Sequence, residues 1–185
     1  MKIQGIQGYN ASETVVAGES KKLPAGNYVC KILGLNVQKS KTGRDMLVVQ
    51  FDISDGDYKN FYQDKYNSAK NSGQDAKYGG VLYRLMDGDN TKYYKGFLSC
   101  IEKSNNIKID GENGFDSSLL IGKIFGGRFG EEEYEYNGDI KTYVKLRYVV
   151  DVDSLEKQPI LNVKKLQMVD SYYSSEPVSE DNLPF

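Results

Sequence analysis

Residues 140–150 carry the side chains best suited to contact a polyanion. Alternate residues of a strand lie on the same face, so one face presents three cations around an aromatic ring: Lys141, Tyr143, Lys145 and Arg147. Cations neutralise phosphates, and a tyrosine ring gives an unpaired base a stacking surface worth ~1–3 kcal/mol without reading sequence. The opposite face is predicted to be buried and comprises Ile140, Thr142, Val144, Leu146, Tyr148 and Val150. The pattern predicts contact with single-stranded nucleic acid, with an ordinary solvated strand face as the alternative.

Two further groups of side chains fit the same chemistry. The first is a cationic cluster in the turn between the first two predicted strands, formed by Lys39, Lys41 and Arg44. The second lies on one face of a third strand predicted over residues 58–66 and consists of Tyr58, Tyr62 and Tyr66. Because the chain has 15 Tyr, 7 Phe and no Trp, some of these tyrosines must supply bulk to the core.

The composition excludes several kinds of catalytic site. There is no histidine, which excludes Ser-His-Asp and Cys-His catalysis and histidine-containing zinc sites. The two cysteines, Cys30 and Cys100, cannot form a four-cysteine zinc site, and we expect both to be small buried side chains. The sequence therefore predicts a non-enzymatic protein with no cofactor and no metal site.

An acidic run at residues 131–135 places four glutamates around Tyr134, just before Asn137-Gly138. These carboxylates would repel a phosphate backbone, so we expect the run to flank a binding groove or to contact protein. A metal-dependent nuclease that uses this run with Asp151 or Asp153 is a rival hypothesis, and cleavage of single strands with Mg²⁺ or Mn²⁺ would reveal it.

The elements that position these residues are mostly strands. Periodicity predicts strands over 28–37, 45–54, 58–66, 119–129 and 140–152, a loop over 67–80, and one amphipathic helix over 91–104. Asn137-Gly138 predicts a tight hairpin between the last two strands. This order predicts a mainly β fold, a five-stranded barrel of the oligonucleotide/oligosaccharide-binding (OB) type with one helix, and a generic α+β sheet is the alternative.

Charge and composition divide the chain into three parts. Residues 1–20 are an N-terminal extension, 21–169 form the domain, and 170–185 are a flexible acidic tail with four acids and no base. Residues 21–100 hold 13 Lys and Arg against 8 Asp and Glu, which suits a polyanion binder. No apolar run approaches the ~18 residues of a membrane helix, and no signal-peptide stretch is present, so we expect no membrane partner and a cytoplasmic location.

The C-terminal tip carries a first resemblance. Glu180-Asp181-Asn182-Leu183-Pro184-Phe185 resembles the acidic Pro-Phe tip of bacterial-type single-stranded-DNA-binding proteins. The resemblance implies that Glu180, Asp181, Leu183, Pro184 and Phe185 bind partner proteins. A terminal phenylalanine can enter an apolar pocket beside a basic residue while the acids steer its approach.

The body carries a second resemblance, to a family of replication-module proteins from phages of Gram-positive bacteria. It covers roughly residues 20–150 and depends on four motifs: Leu23-Pro24-Ala25-Gly26-Asn27-Tyr28, Ser40-Lys41-Thr42-Gly43-Arg44-Asp45-Met46-Leu47, Tyr94-Lys95-Gly96-Phe97 and Gly122-Lys123-Ile124-Phe125-Gly126-Gly127. It implies sequence-tolerant single-stranded-DNA binding in phage replication or recombination, in the bacterial host cytoplasm. Replication or recombination proteins would be recruited through the tail, and self-association is compatible with this interpretation. The alternative is a replication accessory protein that does not itself grip DNA.

Overall fold

The computed structural model describes residues 21–166. The predicted N-terminal extension and the acidic tail lie outside the described residues. The strands are β1 (Gly26–Lys39), β2 (Asp45–Ile53), β3 (Val81–Leu85), β4 (Ile124–Tyr136) and β5 (Asp139–Val150). The α-helices are α1 (Phe61–Asn71), α2 (Thr91–Asn105) and α3 (Val152–Leu155), and 3-10 turns occupy Gly56–Tyr58, Gly88–Asn90 and Ser117–Leu119. No helix within this part of the chain is long and apolar enough to cross a membrane.

All five strands form one antiparallel sheet in the order β3-β2-β1-β4-β5. The first four strands have Greek-key order, because β4 returns to lie beside β1. The prediction of a mainly β, five-stranded fold is confirmed. The closed barrel is not observed: across residues 21–166, β3 and β5 each pair with a single neighbour, so the sheet remains open. The single predicted helix corresponds to α2, and two further helices are present.

The core lies between the inner face of the sheet and α2. Alternate residues of β2 point inward, and Val49, Phe51 and Ile53 are almost completely buried. From the other side, α2 inserts Phe97, whose ring stands edge-on to Phe125 of β4 with centroids 5.8 Å apart. Because these rings fill the centre, the strands that carry the candidate site rest on a rigid base.

The prediction of a strand over residues 58–66 is wrong, because this segment forms a 3-10 turn followed by α1. The buried carboxylate of Asp52 accepts the backbone N–H groups of Tyr62 (3.0 Å) and Gln63 (2.8 Å), which are donors of the first turn of α1. Tyrosines spaced four residues apart fit one face of a helix as well as one face of a strand. The actual third strand, β3, was not predicted, and α1 occupies part of the predicted loop.

A β-bulge in β5 overturns part of the predicted burial. Leu146 pairs with Phe129 and Tyr148 pairs with Arg128, so Arg147 has no partner residue on β4. The extra residue reverses the alternation: Val149 packs against the core, whereas Tyr148 is half exposed. Ile140 is also exposed, because this end of β5 extends past the core. The predicted buried side of residues 140–150 is therefore wrong at Ile140, Thr142 and Tyr148, which are all exposed.

Candidate nucleic-acid interface

The end of the β4–β5 hairpin extends past the rest of the sheet. β1 begins at Gly26, opposite Phe129, so residues 130–145 continue as a two-stranded ribbon that we call the arm. Asn137 and Gly138 close it with positive φ angles of 55° and 83°, which is the predicted tight turn. Lys164 pairs in parallel with the side of β4 that β1 no longer reaches, through backbone bonds of 2.8 and 2.9 Å.

One face of the arm carries tyrosines and lysines. Residues directly opposite each other in an antiparallel pair lie on the same face, and Tyr134 opposes Lys141 while Glu132 opposes Tyr143. The tyrosine face, as we call it, comprises Glu132, Tyr134, Tyr136, Asp139, Lys141, Tyr143 and Lys145. Tyr134 and Tyr143 meet edge to face at 5.5 Å, and the Lys141 ammonium lies 4.5 Å from the centre of the Tyr136 ring. The three rings are 38%, 54% and 42% exposed in chain order, so each can be reached from solvent.

The acidic run does not form one cluster. Strand alternation puts Glu131, Glu133 and Glu135 on the face opposite the tyrosines, so Glu132 alone of the four shares the tyrosine face. Across residues 21–166, no three His, Cys, Asp or Glu side chains are arranged to hold a metal ion. Asp151, a ligand in the nuclease hypothesis, instead accepts hydrogen bonds from Ser154 at the start of α3.

Glu132 contacts most of the polar side chains around the base of the tyrosine face. Its Oε2 accepts hydrogen bonds from the Tyr143 hydroxyl (2.9 Å) and from the Lys145 ammonium (3.0 Å). Its Oε1 lies 3.7 Å from the Lys164 ammonium and 3.9 Å from Arg147 Nε. Burial alone would raise the pKa of Glu132, but the hydrogen bonds and nearby cations outweigh it, and the pKa lies below the usual range. Three cations therefore surround one carboxylate that stays ionised, and the cluster keeps a positive excess.

Two of the three cations of β5 that were predicted to contact phosphates, Lys145 and Arg147, differ in their surroundings. The hydrogen bond to Glu132 raises the pKa of Lys145, whose side chain remains half exposed. Arg147, at the bulge, is mostly buried and donates from Nη1 to the carbonyl of Asn162 (2.8 Å). Gly130 leaves room for this guanidinium, since a Cβ there would lie 2.8 Å from Arg147 Cδ. Lys145 is thus available to a ligand, whereas Arg147 mainly fixes the segment beneath it.

The predicted cationic turn between β1 and β2 is observed, but acids neutralise part of it. Lys39 pairs with Asp45 at 2.9 Å, and Arg44 Nε lies 2.6 Å from an Asp87 carboxylate oxygen. Lys41 is exposed at the tip of the turn. This turn lies at the end of β1 that is far from the arm, so its cations and the tyrosine face do not form one continuous surface.

The structure places the tyrosines of the predicted third strand against the core, away from the arm. Tyr62 packs 5.6 Å from Phe51, Tyr66 contacts Tyr78 edge-on at 5.9 Å, and Tyr58 contacts Tyr28 at 5.8 Å. Burial raises the pKa of Tyr62, as expected for a hydroxyl in apolar surroundings. Their assignment to nucleic-acid binding stays a prediction, and we do not include them in the interface.

Sequence reasoning missed Tyr134 and Tyr136. A signal was present, because Asn137-Gly138 fixes the hairpin register, and counting back from it places both rings on the face of Tyr143. It also missed Tyr83, which is exposed on β3 opposite Val48. The predicted partner-binding residues, Glu180, Asp181, Leu183, Pro184 and Phe185, lie outside the described residues. No protein-family model matches the chain, and no relative was found among curated proteins.

Proposed function

We propose that this protein binds single-stranded DNA without sequence preference, and that the tyrosine face of the arm is its stacking surface. The observation that carries the proposal is the set of three exposed rings, Tyr134, Tyr136 and Tyr143, on one face with Lys141 and Lys145. Bases stack on aromatic rings whatever their identity, and lysines between the rings match the alternation of base and phosphate along a strand.

The electrostatics of the arm support the same function. Lys141 and Lys145 lie on the face itself, and Lys164 and Arg147 approach it from the side. These four cations exceed the two acids of the face, the buried Glu132 and Asp139 beside the turn. Each phosphate that a cation neutralises releases counterions, so affinity should fall steeply as salt rises. The remaining acids of the run, Glu131, Glu133 and Glu135, point to the opposite face and do not repel a strand bound here.

The topology supports an OB-type fold as the scaffold. The strands have Greek-key neighbours, and α2 separates the first three strands from the last two, which fits a five-stranded, partly open Greek-key barrel with α1 inserted between β2 and β3. In such a fold, the loop between the last two strands borders the bound nucleic acid, and here that loop is the tip of the arm. The resemblance to phage replication-module proteins supports a role in replication or recombination within a bacterial cell, and the C-terminal tip would recruit partner proteins.

Fluorescence anisotropy with labelled oligo-dT and with a duplex of equal length, each at two salt concentrations, tests the proposal. We expect tighter binding to the single strand and a steep loss of affinity with salt. Equal affinity for both would contradict it. No binding to either would favour the accessory protein that does not grip DNA.

Matched variants locate the binding surface. Tyr136→Ala removes an exposed ring of the arm, and Tyr93→Ala is the control, since Tyr93 is 57% exposed on α2 with Lys92 over its ring at 5.2 Å. Only the Tyr136 change should weaken oligo-dT binding. If Tyr83→Ala weakens it instead, the strand lies on the outer face of β2 and β3, and the arm is not the site.

A further inference from the structure

The outer edge of β5 presents unpaired backbone groups along the arm. Within residues 21–166, β5 pairs with β4 alone, and α2 approaches it beyond the arm, where Cys100 Sγ lies 3.7 Å from the Val149 carbonyl. The Glu133 N–H and the Glu131 carbonyl form hydrogen bonds with the backbone of Lys164, on the side of β4 away from β5. Because successive residues of a strand direct their backbone groups to opposite sides, the N–H and C=O of Glu132 point toward Tyr143 of β5. By the same alternation, the N–H and C=O groups of three β5 residues face outward: Ile140, Thr142 and Val144.

We propose that a second copy of this chain pairs with this edge in antiparallel fashion, with a two-fold axis at Thr142. Ile140 of each copy then opposes Val144 of the other, and the two Thr142 residues oppose each other. Outward-facing groups meet in this register, which gives about six backbone hydrogen bonds between the copies. The pairing makes one continuous ten-stranded sheet from two open ones, and it covers the exposed side chain of Ile140.

Charge complementarity selects this register and argues for self-pairing. With the axis at Thr142, Asp139 of each copy opposes Lys145 of the other, and Lys141 opposes Tyr143, so both cross-strand pairs are favourable and each occurs twice. Moving the axis one residue, to Tyr143, would instead set Lys141 against Lys145, a like-charge pair. A short edge with these charges fits a copy of itself, and both tyrosine faces would lie on the same side of the joined sheet.

Sedimentation velocity of the full chain without DNA tests the dimer and does not depend on the proposed DNA binding. We expect a concentration-dependent monomer–dimer equilibrium. Asp139→Lys should weaken the dimer by about tenfold, because it creates two like-charge pairs. Thr142→Pro removes an N–H that β4 does not use, so it should abolish the dimer while the monomer stays folded by circular dichroism. A wild-type chain that is monomeric throughout would overturn the proposal.

Cysteine cross-linking tests the register itself. The two Thr142 Cα atoms should lie about 5.5 Å apart, within the range that a disulfide spans, whereas the two Ile140 Cα atoms should lie about 14 Å apart. Mild oxidation should therefore cross-link Thr142→Cys but not Ile140→Cys, and a mixture of Ile140→Cys and Val144→Cys chains should cross-link as a heterodimer. The wild-type chain, in which Cys30 is buried and Cys100 is partly buried, is the background control for cross-linking through the native thiols. Equal cross-linking of Thr142→Cys and Ile140→Cys would overturn the register. If another partner occupies this edge, the Thr142→Cys chain will stay monomeric after oxidation, and the proposed dimer will be wrong.

Discussion

Two groups of three tyrosines in this molecule differ in their surroundings. Tyr58, Tyr62 and Tyr66 lie in or beside α1 and pack against other rings at the edge of the core. Tyr134, Tyr136 and Tyr143 lie on the arm, each more than a third exposed, among lysines and one ionised glutamate. Because the residue type is the same, the surroundings of a ring decide whether it packs in the fold or is accessible to a ligand.

The difference arises from what each group has beneath it. Below the α1 tyrosines lies Phe51 at the centre of the core, and Asp52 fixes the start of the helix. Below the arm the opposite face is mixed: it carries Glu131, Glu133 and Glu135 together with Ile140, Thr142 and Val144, and of these Val144 packs against the core. A two-stranded ribbon with charged groups on both faces gains little from burial, and this is why we propose a binding role for its exposed rings.

Removing a core tyrosine should have the largest effect, and it should be on stability. We expect Tyr62→Ala to lower the free energy of unfolding by about 3 kcal/mol, because it leaves a cavity beside Phe51 and Phe61. Urea denaturation measures the change. Tyr62→Phe is the control and should cost less than about 1 kcal/mol, since the ring is kept. A stable Tyr62→Ala protein with impaired oligo-dT binding would reverse the roles of the two groups.

Disturbing the cap of α1 should also lower the free energy of unfolding, by less than the loss of Tyr62 does. Asp52 accepts the backbone N–H groups of Ile53, Tyr62 and Gln63 and the hydroxyl of Tyr78. Asp52→Asn places an amide donor against these donors, and we expect a loss of about 2–3 kcal/mol of stability. Asp64→Asn, an exposed change in the same helix, is the control and should cost little in the same urea titration. Equal stabilities of the two variants would show that the carboxylate does not hold α1.

On the arm, ring removal should affect binding and spare the fold. We expect Tyr136→Ala to cost ~1–3 kcal/mol of oligo-dT affinity, while Tyr136→Phe costs little because the stacking surface remains. Unfolding stability should change by less than about 0.5 kcal/mol, as expected for an exposed side chain. Tyr136 suits this test better than Tyr143, whose hydroxyl also bonds Glu132. If Tyr136→Phe is as damaging as Tyr136→Ala, the hydroxyl matters and the stacking account is wrong.

The smallest effect concerns the acid stability of the arm. The pKa of Glu132 is lowered in the folded protein, so its contribution is present above the unfolded value of about 4.3 and is lost as pH falls through the folded value. Near neutral pH, Glu132→Gln should be less stable than wild type by about 1 kcal/mol, and this gap should close below about pH 4. Urea titrations of both proteins across that range measure it. A gap that does not depend on pH would mean that the carboxylate charge contributes nothing.

Much of the sheet could be predicted from the sequence, because β1, β2 and the Asn137-Gly138 hairpin follow local rules of alternation and turn chemistry. Helix α2 follows its apolar spacing in the same way. Helix α1 was not predictable from spacing, since its first turn donates backbone hydrogen bonds to a residue of another element, Asp52 of β2. Strand β3 has five residues and is specified mainly by its pairing with β2.

The candidate site was only partly visible in the sequence. Tyr143 and Lys145 followed from alternation, but the pairing of Lys145 with Glu132 depends on the register between two strands. The bulge at Arg147 reverses which residues face the core, and no local pattern announces it. The separation of Glu132 from its neighbours Glu131 and Glu133 likewise required the hairpin register.

Photocross-linking of the protein to an iodouracil-substituted single strand tests the central claim most directly, since it identifies the side chains that lie against bases. After digestion and mass spectrometry, we expect cross-links on Tyr134, Tyr136 or Tyr143, and a loss of their yield as salt rises. The exposed Tyr93 of α2 serves as the internal control and should remain unlabelled. Cross-links confined to Tyr83, or to the α1 tyrosines, with none on the arm, would contradict the account.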